Sequence, residues 1–217
     1  MEQSKEINVY NLILLDESGS MSSIWRQALD GINETLNGIR KTQDEYPSQH
    51  QYVSIVTFEG NGVRGVKTLR DRIPVENIQN LKDDDYRPGG CTPLYDAMGL
   101  SLNYLQHCVR DEDVVLVTII TDGYENSSNE YSVHNIKTLV DKLREKGWTF
   151  AYIGANQDAV EVAKGLNIDN AMNFDATPQG TVMMCLDYES ARRDFSRQVD
   201  QMAKSRKTKS VKGFFKK

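Results

Sequence analysis

The sequence predicts a single α/β domain: a mostly parallel central sheet with one antiparallel edge strand and helices on both faces. Three observations predict it. Short apolar runs such as Val9 to Asp16 and Asp113 to Thr121 read as strands buried on both faces. Stretches with apolar residues at helical spacing separate them, so strands and helices alternate. A Gly-Asn-Gly turn at Gly60 to Gly62 joins two strands too closely for a parallel crossover, so that pair runs antiparallel.

In chain order, the first strand is Val9 to Asp16, with an almost unbroken apolar run. The first helix covers Ile24 to Asp44, because Ile24, Ala28, Ile32, Leu36 and Ile39 share one stripe and Pro47 follows. Tyr52 to Phe58 alternates as a second strand, and Val63 to Leu69 forms the third after the glycine turn. Residues 76–91 are polar and carry the triplet Asp83, Asp84, Asp85, which predicts an exposed loop. Thr92-Pro93 then opens a helix to about Val109, with Thr92 at the N-cap and Pro93 at the first helical position. Asp113 to Thr121 is the strongest strand signal in the chain. Ser132 to Lys146 is an amphipathic helix stopped by Gly147. Trp148 to Gly154, Asp158 to Gly165 and Ala171 to Phe174 read as strand, helix and short strand. Thr177-Pro178 repeats the cap-plus-proline start and opens a last helix to about Ala203.

The expected organisation is one domain over residues 1–203 and a basic tail over 204–217. A chain of 217 residues buries roughly 70% of its unfolded surface and needs no disulfide or structural metal to fold. The tail holds seven basic and no acidic residues, which leaves the body with 19 basic against 31 acidic side chains, a net of -12. Cys91, Cys108 and Cys185 are odd in number and widely spaced, so they predict free thiols. The early N-terminal segment is acidic and its apolar run covers only Leu12 to Leu15. That pattern predicts no signal peptide, no window spans a membrane, and the expected location is cytoplasmic.

Three segments carry the chemistry: Asp16-Glu17-Ser18-Gly19-Ser20, Gly90-Cys91-Thr92-Pro93 and Thr121-Asp122-Gly123. Asp16 and Asp122 stand at the carboxyl ends of predicted buried strands, where open parallel sheets bind ligands. Two carboxylates and three hydroxyls are hard oxygen donors. They suit Mg²⁺, and equally Mn²⁺ or Ca²⁺, rather than zinc or copper. The competing explanation for Ser18 and Ser20 is that they cap the following helix.

The blocks LILLDESGSM, GGCTPLYDAM and IITDGYENSS resemble the three motifs of von Willebrand factor type A domains of the intracellular bacterial or phage kind. That resemblance implies a Rossmann-like fold and a metal-ion-dependent adhesion site. By position it implies Asp16, Ser18, Ser20, Thr92 and Asp122 as the metal residues, with Mg²⁺ expected. Glu17, Gly19, Gly90 and Tyr124 flank them as the expected partner-binding rim. The implied partner is a protein whose Glu or Asp completes the metal shell. The alternative is a Mg²⁺-dependent hydrolase or phosphotransfer enzyme using the same carboxylates. Against it, serine stands two residues after Asp16, no histidine lies near the motifs, and neither a P-loop nor a GxSxG elbow occurs. The basic tail, with Phe214 and Phe215 for stacking, offers weak contact with nucleic acid or an anionic surface. The acidic triplet is expected near the rim, where it would discourage acidic competitors.

Overall fold

The computed structural model describes residues 6–155, 158–205 and 213–215. Six strands form one sheet: β1 (Ile7–Asp16), β2 (Gln49–Phe58), β3 (Val66–Pro74), β4 (Val114–Thr121), β5 (Thr149–Ala155) and β6 (Asn170–Phe174). Their order is β3-β2-β1-β4-β5-β6. All pairs are parallel except β2 with β3. The helices are α1 (Trp25–Glu45), α2 (Leu94–Gln106), α3 (Val133–Glu145), α4 (Ala159–Gly165) and α5 (Pro178–Ser205). The predicted α/β class, with an antiparallel edge strand and helices on both faces, is the observed one.

Strand alternation divides the core. Val9, Ile13 and Leu15 of β1 pack toward α1 and α5, while Leu12 and Leu14 pack toward α2 and α3. Both faces of β1 and β4 are therefore covered, which is why their sequences are largely apolar, with Asn11 and Thr118 as buried polar exceptions. The chain crosses from β1 to β2 on one side and from β4 to β5 on the other. The crevice above the β1–β4 pair is thus a switch point of the sheet. Among the described residues no helix is long and apolar enough to cross a membrane. Cys91, Cys108 and Cys185 are free thiols.

Four expectations need correction. Residues 62–65 form a 3-10 turn, and the third strand runs from Val66 to Pro74 rather than from Val63 to Leu69. Its pairing with β2 shifts register around Ile55, and Arg72 takes a positive φ of 46° there. Residues 76–91 are not simply exposed: Ile78, Leu81 and Tyr86 are buried against α1 and β1. Each aspartate of the acidic triplet is paired with an arginine, Asp83 with Arg26, Asp84 with Arg87 and Asp85 with Arg70. That compensation weakens the repulsive field expected of it. The tail begins inside a helix that continues to Ser205, and residues 206–212, 216 and 217 lie outside the described residues. Phe214 is only 2% exposed and packs on Tyr188 and Phe195, so its ring is not free to stack on a nucleic acid.

Candidate metal centre

Two proline dipeptides that look alike in sequence behave differently. Thr177 Oγ1 accepts from the Gly180 N–H at 3.0 Å and caps α5, as its position predicts. Thr92 does not cap α2. That helix starts at Leu94 and Pro93 occupies the N-cap with no cap bond of its own, while Glu125 and Ser128 accept from the Tyr95 and Asp96 N–H. Thr92 is instead held by reciprocal bonds: its N–H donates to Asn126 Oδ1 at 2.8 Å, and its carbonyl accepts from Asn126 N–H at 3.1 Å. Its hydroxyl remains available to the crevice.

The first block turns directly out of β1. Asp16 Oδ1 accepts from the Ser18 N–H at 2.7 Å, and Oδ2 accepts from Thr121 Oγ1 at 2.6 Å. Ser18 Oγ lies 3.1 Å from Ser20 Oγ, and Ser20 Oγ donates to Asp122 Oδ1 at 2.5 Å. Neither the 3-10 turn at Gly19–Ser23 nor α1 has a side-chain cap, so the capping explanation of Ser18 finds no bond to support it. We therefore expect Ser18→Ala and Ser20→Ala to weaken divalent-cation binding while leaving the EDTA melting temperature nearly unchanged. A lost cap would cost ~1 kcal/mol with or without metal. Parallel melts in EDTA and Mg²⁺ check this, and equal destabilisation in both would return the two serines to a capping role.

The three segments converge beside Gly123. A Cβ built on that glycine would stand 3.2 Å from Thr92 Oγ1, 3.4 Å from Ser20 Oγ and 3.8 Å from Asp16 Oδ2. Glycine leaves open a space that hard oxygens from three separate segments face. Burial pushes the Asp16 carboxyl up to about 6. Hydrogen bonds from Thr121 and Ser18 oppose that rise and the neighbouring Asp122 adds to it. Burial likewise raises Asp122, against the pull of the Ser20 hydroxyl. Neither carboxylate has a lysine, arginine or histidine in ion-pair range among the described residues. Two neighbouring buried carboxylates without a cationic side chain suit a bound cation electrostatically. Among the described residues no group of three or more His, Cys, Asp or Glu could hold a metal. The donor set that fits is two carboxylates with three hydroxyls, chemistry proper to a hard divalent ion. The five predicted residues fit such an ion.

Of the expected rim, Tyr124 is 59% exposed, and Gly19 and Gly90 are exposed beside the opening. Gly19 N–H donates to Gly90 O at 3.1 Å. Gly90 has φ of 67°, and a Cβ there would stand 2.6 Å from Glu59 Oε2 and 2.9 Å from Gly60 Cα, so only glycine fits. Glu17 departs from the expected rim, because its side chain turns inward.

Sequence reasoning missed the residues that hold the ligands in place. Tyr86 is fully buried, and its hydroxyl donates to Asp16 O at 2.7 Å. Burial keeps that phenol protonated. Asp96 accepts from Asn129, Glu130 and Tyr131 N–H, and Glu125 accepts from Tyr95, Ser127 and Ser128 N–H. These bonds pin the loop after β4 to the start of α2. The bonds of Asp96 and the one from Tyr95 to Glu125 join residues 30 to 35 positions apart, which no local spacing rule marks; those of Glu125 with Ser127 and Ser128 are local turn bonds.

The von Willebrand factor type A domain model matches residues 12–209. No curated protein sequence matches the chain. Among solved structures, the chain is similar to the PilB minor pilin from Streptococcus sanguinis, with TM-score 0.62 and 11% identity over 93% of this chain and 63% of that one. The pilus adhesin SpaC from Lactobacillus rhamnosus GG gives 0.63 and 11%, over 90% of this chain and 31% of the other. The manganese-loaded TRAP protein of Plasmodium vivax gives 0.52 and 17%, over 80% and 70%. At such identities the likeness concerns the fold. The chain spans less than two thirds of the pilin and about a third of the adhesin.

Proposed function

The chain belongs to the von Willebrand factor type A family, and on that footing we propose that it is a Mg²⁺-dependent protein-binding module which captures a partner through a surface Glu or Asp. Domains of this family generally act as metal-dependent protein-interaction modules rather than enzymes. The observation that carries the finer reading is the oxygen-faced space beside Gly123, bounded by Thr92, Ser20 and Asp16. Asp16, Ser18, Ser20, Thr92 and Asp122 would hold the ion. A divalent cation there supplies positive charge and a coordination position open to an outside carboxylate. The manganese-loaded state of the Plasmodium protein agrees with a divalent site in this fold.

The protein's own residues prepare the contact. The Ser20 hydroxyl donates its proton to Asp122, so Ser18 Oγ donates to one of its lone pairs and the other is left for an ion. The two bonds to Asn126 fix Thr92 before anything binds. Gly19 and Gly90 keep the approach low, and Tyr124 offers an exposed ring for the partner's neighbouring side chains. The Mn²⁺ and Ca²⁺ ions share the same ligand preference.

Capture from the native host, with the immobilised chain in Mg²⁺, in EDTA and as Thr92→Ala, tests this function. A partner that is retained in Mg²⁺, released by EDTA and weakened about tenfold by Thr92→Ala, a change of about 1.4 kcal/mol, is the expected result. Full retention under all three conditions would move recognition away from the metal centre.

A further inference from the structure

Glu17 follows a proposed metal ligand directly, yet it is only 4% exposed. Four contacts hold it, two through its backbone and two through its carboxylate. Its N–H donates to Phe58 O at 2.9 Å, at the end of β2. Its carbonyl accepts from Gly89 N–H at 2.8 Å. Its Oε1 accepts from Arg87 N–H at 2.7 Å. Its Oε2 is buried without a hydrogen-bond partner among the described residues, with Lys67 Nζ at 3.8 Å as its counter-charge. The same ammonium lies 3.5 Å from Glu59 Oε1.

A buried carboxylate with one oxygen unsatisfied is costly, so its presence asks for a compensating role. The segment it grips, residues 87–90, leads straight into Thr92. At Gly90 that segment is pressed on the β2–β3 loop and bonded to Gly19. Glu17 thus joins the first ligand loop to the second from beneath, while Asn126 holds Thr92 from the other side.

We propose that Glu17 is a positioning residue for the metal centre: it clamps the 87–90 segment against the first loop and thereby sets where the Thr92 hydroxyl stands. This rests on the metal reading above. Charge-assisted bonds from a carboxylate to backbone N–H are the strong ones, and groups that orient metal ligands commonly alter affinity without touching the ion.

The test compares wild type, E17A and E17Q by Mn²⁺ titration, amide hydrogen exchange and melting in EDTA. In E17A we expect Mn²⁺ affinity to fall about 10- to 100-fold. The Arg87 and Gly89 amides should exchange faster, while those of β4 and β5 keep their protection. E17Q retains an oxygen acceptor for Arg87 N–H and should recover the protection and most of the affinity; it also serves if the alanine variant does not fold. Wild-type affinity in E17A, exchange that accelerates evenly across the sheet, or E17Q behaving as E17A would each overturn the proposal. Absence of Mn²⁺ uptake by wild type would overturn the metal reading and this proposal together, whereas equal uptake by wild type and E17A would overturn only the role of Glu17.

Discussion

Asp16→Asn is expected to abolish divalent-cation binding without lowering the melting temperature of the metal-free protein. In wild type, Mg²⁺ at 100 times its Kd stabilises the folded state by about 2.7 kcal/mol, which for a domain of this size is a rise of roughly 5–10 °C. The asparagine variant should show no rise. Its metal-free behaviour follows from the sign of the Asp16 shift. Burial raises this carboxyl from 3.8 to about 6, so the folded chain holds the proton more tightly than the unfolded chain does. The ionised form is therefore penalised on folding. That penalty is complete above about pH 6 and disappears as pH falls toward 3.8. A neutral amide avoids it at pH 7 to 8. The amide also keeps an oxygen for the Ser18 N–H, and the Thr121 hydroxyl can turn to Gly123 O, 3.0 Å away. Melting in EDTA and in Mg²⁺ at pH 7.5 checks both parts. A preserved Mg²⁺ shift in Asp16→Asn would contradict the assignment of this carboxylate.

The largest effect on stability is expected at the opposite end of the chain. Phe214→Ala should cost about 3–5 kcal/mol, the usual range for a buried phenylalanine. Its ring sits 5.9 Å from Tyr188, 6.0 Å from Phe195 and 5.0 Å from Phe215, and it belongs to the core cluster on the α1–α5 side. Its N–H donates to Asn170 Oδ1 at 2.9 Å, which ties it to edge strand β6. A phenylalanine on a solvated tail would change stability by at most about 0.5 kcal/mol when removed. Urea midpoints of the two proteins separate the cases, and a loss below about 1 kcal/mol would place the ring outside the cooperative fold.

How much was legible follows from which interactions are local. β1, β4 and β5 could be read because burial on both faces writes itself as a continuous apolar run. The helices α1 and α3 could be read from their stripes, and Gly147 ends α3 with φ of 90° as a terminating glycine should. β3 could not be placed, because its register depends on an irregularity across β2 and on Arg72 in a left-handed conformation. Ile78, Leu81 and Tyr86 stand in a polar stretch with no period of 2 or 3.6, so only the tertiary structure shows that they are buried. At the site, Asp16, Asp122 and Thr92 could be placed at strand ends and a helix start, and the full set of five came from the resemblance of three sequence blocks to the family's motifs. Thr92 was placed at a helix cap because Thr-Pro ordinarily is one, and its bonds to Asn126, 34 residues away, decide otherwise. Glu17 looked like rim because it lies between two expected metal residues, Asp16 and Ser18. Its inward turn is set by the Arg87 N–H, 70 positions later in the chain.

Counting bound Mn²⁺ by electron paramagnetic resonance, in the wild-type chain and in Asp122→Ala, tests the central claim most directly. Asp122 accepts the Ser20 hydroxyl and closes the ring of oxygens that begins at Asp16. One Mn²⁺ per wild-type chain, displaced by excess Mg²⁺ and lost in Asp122→Ala, is the predicted result. No Mn²⁺ on wild type, or the same single ion on Asp122→Ala, would contradict a metal centre at the β1–β4 crevice.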